Sequence, residues 1–377
     1  MSFVLVALIC LAIGFGVGWW YVVPRRLDRE NAARRNRVLY ELAEGDRENV
    51  AQELEQICAS EPGDPTVFLA LAALDRGRGR IERAKAVHRT VLASADLPSE
   101  QRVAALVGLG RDLLAQGNER AAVGALVRAV SLAPRSVATL ETLARALERA
   151  GGWERAAAAW ERLEKQVEGR RAQEARAGRG HAVAGQAAEA LEDGEERKAR
   201  KLAERAVDLA PDSGHCWTVR ARVESALGDP IEALESWQRA WELSPVGARS
   251  IVPEAWEWAT ENRRQEDLME RMLSSLRMAR EAQLVVALAE KVSRQHPEQA
   301  ASALERVAER SPSAQLALVR LRLSRGQREA AREAAMRPPR SAGLLCNKCG
   351  TQMPRFAFRC GGCGAWDSAA AAGIEGG

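Results

Sequence analysis

Two hydrophobic patterns divide this chain. From Phe3 to Val23 it reads FVLVALICLAIGFGVGWWYVV, 21 residues without a charge. At about 1.5 Å of rise per residue, about 20 such residues cross a bilayer's hydrocarbon layer, so this stretch predicts a membrane-spanning helix over residues 1–24. Beyond it the apolar positions are never continuous. They fall at helical spacing with charged residues between them, as in Leu140, Leu143, Leu147, Trp160 and Leu163, the pattern of amphipathic helices that bury one face.

These helices recur at a fixed interval. With Val50, Ala84, Ala122, Ala156, Ala199 and Ala233 as anchors, the spacings are 34, 38, 34, 43 and 34 residues. Five residues before each anchor stands a glycine: Gly45, Gly79, Gly117, Gly151, Gly194 and Gly228. Twelve before the later anchors stand Ala72, Gly110, Ala144, Ala187 and Ala221. Twelve after four of the anchors stand Pro62, Pro134, Pro211 and Pro245. Glycine suits the left-handed residue that ends a first helix, small residues suit the closest approach of two helices, and proline stops the second helix. The pattern resembles the tetratricopeptide repeat. It implies an all-α fold, a superhelical solenoid over residues 38–335. After residue 246 the rhythm weakens: Ala255 and Asp267 keep the spacing without the glycine, Ala300 with Pro312 marks one more unit, and Gly326 opens a partial one. The long interval at 164–182 predicts an extended helix or a loop.

Composition narrows the chemistry. The 377 residues carry 28% charged side chains, 46% hydrophobic ones and a net charge of +4. So small a charge gives no case for nucleic acid as a partner. Arg25, Arg26, Arg29, Arg34, Arg35 and Arg37 crowd the segment 25–37, after the apolar run, whereas no basic residue precedes it. That order favours an anchor over a cleaved signal peptide, holds the bulk of the chain in the cytoplasm and sets a basic segment against anionic lipid. Gly14 and Gly18 have the spacing by which membrane helices pair, which admits a homodimer.

The chain contains no phosphate-binding glycine loop, dinucleotide fingerprint or HExxH motif, and is expected not to be an enzyme. His88 falls on a seam position. His181, His215 and His296 have no partner that spacing suggests, and Cys216 beside His215 makes only a weak nucleophile. Four of the seven cysteines, Cys346, Cys349, Cys360 and Cys363, form two C-x-x-C pairs, each followed by a glycine, Gly350 and Gly364. In a reducing compartment such pairs read as a four-thiolate site for one zinc or iron ion. A segment as short as 341–368 needs that metal to fold, and a small-residue tail, 369–377, is expected to be disordered.

One span followed by arginines, the stretch RGRGRIERAKAVHRTVLASADLPSEQRVAALVGLGRDLLAQG at 76–117, and the ending CNKCG…CGGCGAW together resemble the lipopolysaccharide assembly protein B family. The resemblance implies a bacterial inner-membrane, single-pass protein facing the cytoplasm. It implies a rubredoxin-like, zinc-ribbon-like knuckle at Cys346, Cys349, Cys360, Cys363 and Trp366 that docks on the repeats. It further implies an adaptor that promotes degradation, by a membrane-bound ATP-dependent protease, of the deacetylase committing precursors to lipid A. Fold alone leaves open the alternative of a scaffold for another envelope or secretion complex, and an electron-transfer role for an iron centre.

Overall fold

The computed structural model describes residues 47–60, 64–336 and 344–371. The expected membrane span and basic segment lie outside the described residues. Among those described, no helix is long and apolar enough to cross a membrane. Seventeen α-helices and one small sheet make up the described chain, which falls into two compact units dividing between Ala146 and Leu147.

The first unit holds α1 (Arg47–Ser60), α2 (Pro65–Gly77), α3 (Ile81–Ala93), α4 (Ser99–Ala115), α5 (Glu119–Leu132) and most of α6 (Val137–Arg149). Local chemistry sets the helix starts. Asp64 caps α2 through the Thr66 N–H at 2.9 Å with Pro65 in the first turn, and Asn118 caps α5 through the Ala121 N–H at 3.2 Å. The anchors and small residues form the tetratricopeptide-like seam: Ala72, Ala84, Ala122 and Ala144 are fully buried. A Cβ on Gly110 would lie 2.7 Å from Cγ of Leu126, so only glycine allows α4 and α5 this close. A buried polar layer joins three helices: Asp112 accepts from Arg76 at 2.9 Å and meets His88 Nδ1 at 2.6 Å. His88 thus occupies the seam, as expected, but with a carboxylate partner.

The second unit continues with α7 (Trp153–Glu164), α8 (Gly169–Glu192), α9 (Glu196–Leu209), α10 (Gly214–Leu227), α11 (Pro230–Leu243), a single 3-10 turn (Pro245–Gly247), α12 (Ala248–Glu261) and α13 (Gln265–Met278). It closes with α14 (Ala282–Val292), α15 (Pro297–Ala308), α16 (Pro312–Ser324), α17 (Arg328–Met336) and strands β1 (Leu344–Cys346), β2 (Gln352–Met353) and β3 (Ala369–Ala371). The strands pair antiparallel in the order β2-β1-β3. The long repeat interval is helix: α8 runs 24 residues. Gly178 and Gly185 on α8 lie under the rings of Trp160 and Trp153, where an added Cβ would stand 2.6 and 2.3 Å from indole carbons. Trp237 and Trp241 fill the next seams, each donating its indole N–H to a serine hydroxyl at 3.0 Å (Ser225 and Ser275).

Two sequence expectations are corrected. In the repeat that lacks a glycine, Asp267 is exposed, and the seam residue is its neighbour Leu268, fully buried. The left-handed residue five positions earlier is Arg263, at φ 56°. The tail expected to be disordered from Ala369 begins instead as strand β3, because Ala369–Ala371 supply the edge that pairs with β1.

A non-glycine residue in the left-handed region costs about 1–2 kcal/mol, part of which glycine returns as lost chain entropy. Arg263→Gly is therefore expected to raise unfolding stability by up to about 1 kcal/mol, read as an upward shift in the denaturant midpoint with an unchanged slope.

Candidate metal centre

The two C-x-x-C segments fold into matching turns. The Gly350 N–H donates to the Cys346 carbonyl at 2.8 Å and the Gly364 N–H to the Cys360 carbonyl at 2.9 Å. Both glycines are left-handed, at φ 71° and 74°, which is what turns each second cysteine back toward the first. Strand β1 delivers Cys346 to the sheet, and the Arg359–Trp366 bridge closes the second turn at its base.

All four sulfurs lie within 4.8 Å of one another. Cys346 Sγ stands 3.7 Å from Cys363 Sγ, and Cys349 Sγ 3.8 Å from Cys360 Sγ. A tetrahedron with metal–sulfur bonds of about 2.3 Å has edges of about 3.8 Å, so the quartet fits a four-thiolate metal ion. The surroundings begin the ionisation such a site requires. Burial opposes it at Cys346, but the Ser368 hydroxyl, 3.3 Å away, and the backbone N–H groups of Lys348 and Cys349 bring that thiol down to about 6. Cys349 is lowered by the hydroxyl and N–H of Thr351. Burial pushes Cys363 up to about 12 against the lowering by the Ala365 N–H, and a cation among the sulfurs would reverse that.

The metal turn carries a docking face on its outer side. Trp366 stacks on a pair of neighbouring imidazoles, with ring centroids 4.8 Å from His181 and 4.3 Å from His215, which stand 5.8 Å from each other. Phe358 tilts against His215 at 5.2 Å, and Phe356 packs over Gly247, where a Cβ would stand 2.5 Å from its ring. Asp367 accepts from the Ser213 hydroxyl at 2.6 Å and from the His215 backbone N–H at 3.3 Å. Beneath them Glu148, its side chain fully buried, accepts from Trp160 Nε1 at 2.6 Å and Trp366 Nε1 at 3.2 Å and pairs with Arg359 at 3.1 Å. One carboxylate thus joins α6, α7 and the knuckle.

His181 and His215, which spacing left without partners, are therefore the docking surface, and Glu148 is a residue that sequence reasoning missed. Burial, with the charge of His215 second, holds His181 well below the usual imidazole range, and burial takes His215 down to about 3. Cys216 lies 3.8 Å from His181 Nδ1, but burial pushes its thiol up to about 12, the opposite of an activated nucleophile. His296 stands at the N-cap position of α15 without a side-chain capping bond.

No family model matches the chain. Three curated relatives, each named lipopolysaccharide assembly protein B, come from Escherichia coli strains K12, O6:H1 and O157:H7. Each is 25% identical over 227 residues, which is 58% of this chain. The chain spans 57% of the length of these relatives in the match. Among solved structures, the C-terminal part of a TPR repeat-containing protein from Cytophaga hutchinsonii is similar over 71% of this chain and 98% of its own, at 14% identity and TM-score 0.46. YrrB, described as a TPR protein with an unusual peptide-binding site, is similar over 52% of this chain and 94% of its own, at 17% identity and TM-score 0.40. MamA is similar over 49% and 94%, at 18% identity and TM-score 0.38.

Two outcomes are expected. Cys360→Ser lowers metal content from one ion per chain to near none, measured by elemental analysis of the purified protein, and speeds hydrogen exchange across 344–371. Acidification tests the docking face. The lowered histidines stabilise docking above their ordinary pKa of about 6.5 and lose that contribution as pH falls through it. Burial raises Asp367 to about 6, so its contribution has the opposite sign: it is present at low pH and lost as pH rises through 6. Protection factors for hydrogen exchange at 344–371, which correct for the slower intrinsic exchange at lower pH, should fall between pH 7.5 and 5, and more steeply in Asp367→Asn, where the compensating proton uptake is gone.

Proposed function

We propose that this chain is a non-enzymatic adaptor of the bacterial inner membrane, anchored by its first 24 residues with its bulk in the cytoplasm. The repeats hold segments of partner proteins, and a zinc or iron ion on Cys346, Cys349, Cys360 and Cys363 braces the knuckle against them. The ion's part is structural: four protein ligands close its coordination shell. In this reading the partners are a membrane-bound ATP-dependent protease and its client, the deacetylase that commits precursors to lipid A, so the adaptor regulates lipopolysaccharide biosynthesis.

The observation that carries the reading is the seating of a four-cysteine knuckle on helical repeats through Trp366 and Glu148. It is supported by the identity with proteins named for lipopolysaccharide assembly, and by the uncharged run Phe3–Val23 with arginines behind it. Tethering fits the role because it turns capture of a membrane client into a near-intramolecular step.

Deleting residues 1–24 is expected to move the chain from the membrane to the soluble fraction and to slow deacetylase turnover in cells, followed by immunoblot after translation is stopped. Unchanged turnover would overturn the adaptor reading and favour a scaffold for another envelope complex.

A further inference from the structure

In two repeats an arginine eleven residues before the anchor reaches the residue fourteen before the next; at the same position Arg145, before Ala156, pairs instead with Glu141 on its own helix. In the second unit the pair between repeats is Arg222, eleven before Ala233, and Glu254, fourteen before Leu268. The guanidinium grips the carboxylate with two hydrogen bonds, at 2.6 and 2.9 Å. In the first unit the same positions are Arg111, before Ala122, and Thr142, before Ala156. Here the arginine meets only a hydroxyl, at 3.4 Å, and that hydroxyl already donates to the Ala138 carbonyl at 2.7 Å.

Arg111 therefore has the fork and the setting of Arg222 without the carboxylate. It is exposed, and among the described residues no carboxylate oxygen stands within ion-pair distance of it. Its flanks are basic as well: Arg76 on α2 is tied to Asp112, and Arg145 on α6 to Glu141 at 2.7 Å. Crowding by the surrounding protein, and then the charge of Arg76, push the Arg111 guanidinium below its ordinary value; the Glu141 carboxylate opposes this, and Arg145, to which Glu141 is tied, adds to it. A cation so placed is relieved by an anion brought from outside, and a planar fork with five N–H donors favours a carboxylate held in bidentate fashion.

We propose that Arg111, flanked by Arg76 and Arg145, is a carboxylate-binding site that takes an acidic side chain or terminal carboxylate of an extended partner peptide, in the place that Glu254 fills for Arg222. An acidic peptide suits the site because the three arginines stand on alternate helices, α2, α4 and α6; at the about 8–10 Å at which helices pack, an extended chain covers one interval in about three residues. The site rests on the reading of the repeats as a scaffold for partner segments and names the chemistry of one contact.

The test uses the full 377-residue chain and fluorescein-labelled hexaglutamate, followed by fluorescence anisotropy at fixed salt. Arg111→Ala is expected to weaken binding at least about tenfold, and Arg111→Lys, which keeps the charge without the fork, to fall between. Arg128→Ala, which removes the same charge from α5, should change it less than about twofold. Thr142→Glu supplies the missing carboxylate from within, so it should also weaken hexaglutamate at least about tenfold while holding or raising the thermal midpoint. Equal affinity in Arg111→Ala and parent, or equal losses in Arg111→Ala and Arg128→Ala, would overturn the site. So would an Arg111 dependence confined to inorganic phosphate or to phosphatidylglycerol vesicles. If hexaglutamate binding is independent of Arg111 while the chain still slows or speeds deacetylase turnover with its anchor, the site fails and the adaptor reading stands. If turnover is indifferent to the chain but hexaglutamate binding needs Arg111, the adaptor reading fails and the site stands.

Discussion

A carboxylate without water must find partners inside the protein. Glu148 is in that position, and it finds them on two segments, one twelve residues on and one more than 200 away: the indole of Trp160, and the indole of Trp366 with the guanidinium of Arg359. The last two belong to the metal knuckle. The end of α6 and the start of α7 are thus completed only when the C-terminal segment is in place. A buried charge stripped of some of its partners is destabilising by several kcal/mol, which ties the order of the repeat seam to the order of the knuckle.

The metal site enters the same circuit through its geometry. Arg359 and Trp366 face each other at the base of the turn that presents Cys360 and Cys363. Holding those two sulfurs on one ion holds the turn, and the turn sets the spacing between the guanidinium and the indole that reach Glu148. The histidine pair above adds a platform on which the ring of Trp366 stacks. Neutral imidazoles stack on an indole at little electrostatic cost, and burial keeps them neutral. The site is therefore built less as a place for reaction than as a rivet whose head lies on the repeats.

Much of this was legible in the sequence where local chemistry dictates the outcome. Glycines Gly79, Gly117, Gly151, Gly194, Gly228 and Gly326 all adopt the left-handed conformation that their spacing required. The cysteine turns follow from four thiols and two glycines. What stayed hidden depends on pairs that no local pattern encodes. Glu148 and Trp366 are 218 residues apart, Ser213 and Asp367 are 154 apart. Arg263 escaped because an arginine gives no hint of a left-handed residue, so the register slipped by one onto Asp267. Strand β3 escaped because three alanines carry no alternation, and their role comes from the free edge of β1.

That strand has a consequence for how the protein is made. The sheet closes through Ala369–Ala371, so the knuckle is unfinished until those residues have left the ribosome. His181, His215 and Glu148 are synthesised long before. Translation at about 5–20 residues per second leaves the histidine pair that receives Trp366 uncovered for about 7–30 s after α10 is complete. During vectorial synthesis the nascent repeats carry an open, partly apolar face, a surface that chaperones meet before the mature protein conceals it.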